Sequence, residues 1–228
     1  MINMLVAFLV SLFLPYSGTA VLNPQHVIAE APEDQNVKLY YSGEEQNGQY
    51  SKVVLAANGK HAAFDWNVPS DPALAPQLYY SDLNGDGQPE AAVIVTLGSG
   101  TGINKQELHL INPNTMKEYP VEQPADALRK SQLSSTVNIS DSSVLITVSF
   151  HGSQQKQQKP LSDFYDDPAQ FAHEVDFSSY TVFSIDEQGQ IQAVLSGSIT
   201  PSEFVGDLVL TYKYSQDGFT MDHMEYKP

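Results

Sequence analysis

Nine residues, Asp82-Leu83-Asn84-Gly85-Asp86-Gly87-Gln88-Pro89-Glu90, set oxygen-bearing side chains at loop positions 1, 3, 5 and 9 and a glycine at position 6. That pattern suits the chemistry of a hard cation. Asp82, Asn84 and Asp86 would supply side-chain oxygens, Gln88 its backbone carbonyl, and Gly87 the sharp turn that exposes them. The register matches the opening of the helix-flanked calcium loop, but its end differs. Position 12 is Val93, which carries no carboxylate, so closure falls to Glu90, directly or through a water. Magnesium demands tighter octahedral geometry, which a mixed set of carboxylate, amide and carbonyl oxygens suits less well, so Ca2+ is the expected ion.

The competing reading is an ordinary polar turn, since Asn-Gly and Asp-Gly pairs are common at hairpin tips. Charge separates the two. Three carboxylates folded to within about 5 Å repel by roughly 0.8 to 3 kcal/mol per pair, for effective dielectrics between 80 and 20. A divalent ion reverses the sign of that interaction. With an affinity near ~0.1 mM, as in extracellular modules, and ambient calcium near ~1 mM, binding would add about 1.4 kcal/mol to stability. That is structural support, and nothing in the sequence marks the second conformation a calcium sensor would need.

Other constellations are poorer. The six histidines, at 26, 61, 109, 151, 173 and 223, form no His-Glu-x-x-His pattern and no close pair, which argues against zinc. No Gly-x-Ser-x-Gly elbow is present, and carboxylate pairs for glycosidase chemistry could be chosen from 27 acidic residues at will. Gly98-Ser99-Gly100-Thr101-Gly102 is followed by no Gly-Lys-Ser/Thr and no helical pattern, so it reads as a strand-joining turn and not a phosphate cradle. Phe64, Trp66, Tyr79 and Tyr80 could present an aromatic ligand face, and Phe164, Tyr165, Phe171 and Phe177 a partner-binding edge, with core packing the plainer role for both groups.

The elements that position these residues read as mainly β: antiparallel hairpins and meanders forming one or two packed sheets, with few short helices. Short apolar runs at 37–42, 51–56 and 61–66 are split by turn residues, including Asn58-Gly59. Residues 77–81 lead into the acidic loop and 91–97 lead out as a nearly continuous apolar run, as in a strand buried on both faces, which places the ion at a hairpin tip. A strand follows at 107–111, then a short helical turn at 124–130. Hairpins are expected at 136–139 with 144–150, at 180–185 with 191–195, and at 208–214 with 219–226. Between them, the Gln- and Lys-rich stretch 152–159 and the acidic, aromatic stretch 163–176 read as a long excursion, with one helical turn near 168–173.

At the scale of the chain, an apolar run from Met4 to Leu14, followed by Pro15, Gly18 and Ala20, is expected to be a secretory signal over residues 1–20. Eleven helical residues would rise about 16 Å, roughly half a bilayer core, so no stable membrane span is expected once it is cut. Residues 21–36 read as an exposed lead and 37–228 as one β domain, which could be subdivided into a calcium-loop part, 37–130, and a C-terminal hairpin part, 131–228. The chain contains no cysteine, so neither disulfides nor an acylated lipoprotein anchor are available and the fold depends on burial and any bound ion. A net charge of -16, from 27 acidic and 11 basic residues, argues against nucleic acid and anionic membrane as partners.

Flanked by strands, the Asp82 to Glu90 loop resembles those of FG-GAP and VCBS-type repeats, calcium-loop hairpins of integrin-like propellers and many secreted bacterial proteins. More widely, Trp66-Asn67-Val68-Pro69, the loop, Glu90-Ala91-Ala92-Val93-Ile94-Val95, Gly98 to Gly102 and Glu107-Leu108-His109 resemble secreted, mostly uncharacterised proteins of Gram-positive spore-forming bacteria. The resemblance covers roughly residues 64–112. It implies Asp82, Asn84, Asp86 and Glu90 as side-chain ligands, Gln88 as a backbone ligand, and a secreted or cell-surface location. A propeller repeats its motif and this chain holds one copy, so at most a partial propeller-like arrangement is implied. The function expected is a non-catalytic structural module, or one that binds a protein or cell-wall polysaccharide partner. The alternatives are an envelope-acting hydrolase in which calcium only supports the scaffold, and a regulatory partner of another secreted protein.

Overall fold

The computed structural model describes residues 27–216 and 218–228. The expected signal over residues 1–20, and residues 21–26 of the lead, lie outside the described residues. So does Asp217, in the last hairpin turn. Among the described residues no helix is long and apolar enough to cross a membrane.

The molecule is mainly β, built largely from antiparallel meanders, and among the described residues no sheet closes into a barrel. Strands β1 (Val27–Glu30), β2 (Lys38–Tyr41), β5 (Val53–Ala57) and β6 (Lys60–Phe64) form one sheet in the order β1-β2-β5-β6. A small sheet pairs β3 (Glu45–Gln46) and β4 (Gln49–Tyr50), from the β2–β5 connection, with β7 (Val68–Pro69), which follows β6. Strands β8 (Gln77–Ser81), β9 (Glu90–Gly100), β10 (Ile103–Asn112) and β11 (Lys117–Tyr119) make the sheet that carries the acidic loop. After helix α1 (Pro124–Lys130) come a three-stranded sheet, β12 (Ser134–Ile139), β13 (Ser143–Phe150) and β14 (Ser153–Pro160), and a four-stranded one. The latter holds β15 (Thr181–Ile185), β16 (Ile191–Ser198), β17 (Phe204–Ser215) and β18 (Gly218–Lys227) in chain order.

The core explains the apolar run after the acidic loop. Strand β9 lies between β8 and β10, and its side chains alternate between two buried clusters. Ala91, Val93 and Val95 enter a cluster with Leu39, Leu55, Trp66 and Ile111, while Ala92 and Ile94 enter a larger one with Leu110, Ile146, Leu208 and Phe219. A strand covered on both faces cannot alternate apolar with polar residues, and each Val or Ile buried this way contributes about 1.5–3 kcal/mol. The larger cluster draws on both sides of residue 130, so the proposed subdivision there does not separate two cores.

Two stretches differ from expectation. Residues 27–30 of the supposed exposed lead form β1 on β2, and Ala31 and Val37 are fully buried. At this sheet edge Ile28 and Ala29 pack against the smaller cluster. The Gln- and Lys-rich stretch is no excursion but strand β14, paired with β13 from Ser143↔Pro160 to Phe150↔Ser153. Its residues opposite the buried Val144, Ile146 and Val148 are Lys159, Gln157 and Gln155, and Gln157 Oε1 accepts from the Tyr226 hydroxyl at 3.1 Å, so backbone pairing and polar side-chain contacts make the strand in place of an apolar face. The remainder of the stretch, 163–176, is irregular, with a 3-10 turn at Pro168–Gln170.

The aromatic groups divide. Trp66 is 8% exposed and sandwiched between Phe64 and His109 at 4.3 and 4.2 Å, while Tyr79 packs on the larger cluster and Tyr80 on the smaller. These four rings therefore form no single ligand face. Phe171 and Phe177 are buried in the larger cluster, with Phe164 packed against them, and Tyr165 alone is fully exposed.

Candidate metal centre

The acidic loop spans the tip of the β8–β9 hairpin, whose last rung pairs Ser81 with Glu90. Its shape is made by side chains accepting from its own backbone. Asp82 takes the Gly85 N–H on Oδ1 at 2.8 Å and the Gly87 N–H on Oδ2 at 2.9 Å. Asn84 Oδ1 accepts from Asp86 N–H at 2.8 Å, and Asp86 Oδ1 from Gln88 N–H at 2.7 Å. Gly85 and Gly87 have φ of 81° and 82°, left-handed values that other residues adopt only with strain and that allow the chain to fold back over Asp82.

Glu90 closes the loop from beneath. Its side chain is 1% exposed, and Oε2 accepts the Leu83 and Asn84 N–H groups at 3.1 and 3.3 Å. Oε1 accepts from Asn84 Nδ2 at 2.8 Å and, at the limit of a hydrogen bond, from the Tyr119 hydroxyl at 3.5 Å. Asn84 Nδ2 also reaches Asp86 Oδ2 at 3.2 Å. Burial pushes the Glu90 carboxyl above the usual carboxylate range, and the charges of Asp86 and Asp82 add to it against the two backbone N–H groups.

The structure thus brings Asp82, Asn84, Asp86 and Glu90 into one hydrogen-bonded loop. Gln88 lies in it through its backbone N–H to Asp86, and its side chain turns back to the Gly87 carbonyl at 3.2 Å. No protein-family model, curated relative or solved structure matches this chain.

As donors they are all oxygen, the set a hard cation takes. Each oxygen of Asp82 and Asp86 accepts one hydrogen bond and keeps a second lone pair, whereas both oxygens of Glu90 already accept two. Among the described residues none of the three carboxylates forms an ion pair with Lys, Arg or His. Among the same residues, no three His, Asp or Glu side chains converge as a ready chelate. A cation here would therefore draw on the Asn84 amide and backbone carbonyls as well as the acids.

His109, read from sequence as one of several scattered histidines, is more constrained than that. Its ring stacks on Trp66, Nδ1 lies 2.6 Å from Glu118 Oε1, and Nε2 lies 3.8 Å from Glu107 Oε2. It lines a cavity of about 400 Å³ with Tyr119 and Gln123. Glu107 and His109 sit two apart on β10, and the Asn112-Pro113-Asn114 turn returns Glu118 beside them on β11. That turn was the available signal.

Proposed function

We propose that the chain is an exported, non-catalytic calcium-binding module that serves a structural role or binds a protein or cell-wall polysaccharide partner. The observation that carries this reading is the uncompensated charge of one short loop. Asp82, Asp86 and Glu90 share a framework of backbone and amide donors with no counter-charge from a basic side chain among the described residues. A divalent cation would offset the mutual repulsion of these carboxylates. Export rests on the apolar run from Met4 to Leu14 and the Pro15, Gly18 and Ala20 that follow it.

The test is a thermal melt in chelator, in millimolar calcium and in millimolar magnesium. A rise of several degrees specific to calcium supports the reading. Equal melting in all three buffers, together with no calorimetric binding, reduces the loop to a polar turn.

A further inference from the structure

The acidic loop is braced by the sheet at the other end of the chain. The turn between β15 and β16, Asp186 to Gln190, reaches Asp82 directly. A Cβ placed on Gly189 would stand 2.7 Å from the Asp82 carbonyl oxygen and 3.5 Å from a Leu83 methyl carbon. The turn is itself firmly built. Asp186 Oδ1 accepts the N–H groups of Gln188 and Gln190 at 2.9 and 2.8 Å, and its carbonyl accepts from Gly189 N–H at 3.0 Å. Gln190 Nε2 then donates to the Tyr212 carbonyl at 2.8 Å, fastening the turn to β17.

A second brace comes through Tyr119. Its hydroxyl approaches Glu90 and accepts from Asn112 Nδ2 at 2.9 Å, while its ring meets Tyr214 and Phe219 edge-on, each at 5.7 Å. Beside these contacts, a cleft of about 420 Å³ lies between the loop and β17–β18, lined by Asn84, Gln190, Lys213 and Asp222 among others.

We infer that Gly189 is a positioning residue of the cation site: the Asp186 to Gln190 turn presses on the peptide of Asp82 and holds the first ligand in register, so calcium affinity depends on the C-terminal sheet. This rests on the calcium reading above. The physical basis is preorganisation, since a ligand held in place before binding loses less freedom when the ion arrives. Linkage makes the effect reciprocal, so calcium in turn strengthens the contact of loop with turn.

Two glycine substitutions test it. Gly189 and Gly59 have φ of +77° and +70°, but a Cβ on Gly59 meets nothing within 4 Å. Gly189→Ala and Gly59→Ala therefore impose similar backbone strain, and only the first disturbs Asp82. Calcium titration of the full chain by calorimetry is expected to show affinity weakened by about tenfold in Gly189→Ala and unchanged in Gly59→Ala. Should Gly189→Ala not fold, Asp186→Ala loosens the same turn without a clash and is expected to weaken binding as well. Amide exchange at Gly189 should slow on adding calcium to the wild type. Equal affinity in the wild type, Gly59→Ala and whichever turn variant folds would overturn the inference while leaving the calcium site standing. No binding heat in the wild type would overturn both.

Discussion

Glu90 and Glu203 do the same local work in different company. Each is nearly sealed from solvent, at 1% and 6% exposure, and each accepts two successive backbone N–H groups of a loop. Glu90 takes those of Leu83 and Asn84, and Glu203 Oε1 takes those of Tyr165 and Asp166 at 2.5 and 2.9 Å. Around Glu203 the nearby acid, Asp166, is satisfied by the hydroxyls of Thr200 and Ser202, the latter at 2.6 Å. Those hydroxyls, Ser202 first, hold the Asp166 carboxyl below its usual range. Around Glu90 the nearby acids accept only from loop amides, and burial together with their charge raises the Glu90 carboxyl. A buried glutamate that staples a loop is thus a structural device by itself. Uncompensated neighbouring charge is what makes one of the two a candidate metal centre.

The largest effect should come from removing the staple that carries that charge. Glu90→Ala strips the acceptor from two loop amides and the Asn84 side chain, and is expected to cost about 2–4 kcal/mol in chelator and to abolish any stabilisation by calcium. Urea unfolding in both buffers measures it, and an unchanged midpoint would show that the buried carboxylate is not holding the loop. Asp86→Ala should act on the ion instead. Calcium affinity is expected to fall at least about tenfold, about 1.4 kcal/mol, with the melting temperature lowered in calcium and hardly changed in chelator. Equal losses in both buffers would assign Asp86 to the turn alone.

Glu203→Ala sharpens the contrast from the other side. Tyr165 is fully exposed, so its freed loop can turn to water, and the expected cost is about 1 kcal/mol, identical with and without calcium. A calcium-dependent difference would erase the distinction between the two sites. The smallest effect belongs to Asp166→Asn. A depressed carboxyl contributes stability that is present above the ordinary carboxylate pKa of about 3.9 and is lost as pH falls through the lower folded value. The gap between wild type and variant should therefore be full near neutral pH and close in the acid range below about pH 4. A gap constant across that range would remove the hydroxyl cluster as its cause.

The same comparison marks what could be read in the sequence. The Asp82 to Glu90 loop was legible because its chemistry is local: its side chains bond to backbone within a few residues, so spacing alone implies geometry. The buried run Ala91 to Val95 was legible because two-sided burial leaves an apolar signature. The Glu203 staple was not, since its partners lie 37 and 38 residues away and meet only once the sheets have packed. Strand β14 escaped for the opposite reason: Gln154 to Lys159 carry no hydrophobic pattern, and pairing with β13 makes them a strand. His109 and Glu118 fall between these cases, within reach of sequence once the β10–β11 register is known.

A calorimetric titration of the full chain with calcium, with magnesium and the Asp86→Ala variant as controls, tests the central claim most directly. The account predicts saturable one-site binding of calcium to the wild type, weak or no response to magnesium, and at least about tenfold weaker calcium binding in the variant. No calcium heat in the wild type, or equal binding by wild type and variant, would contradict it.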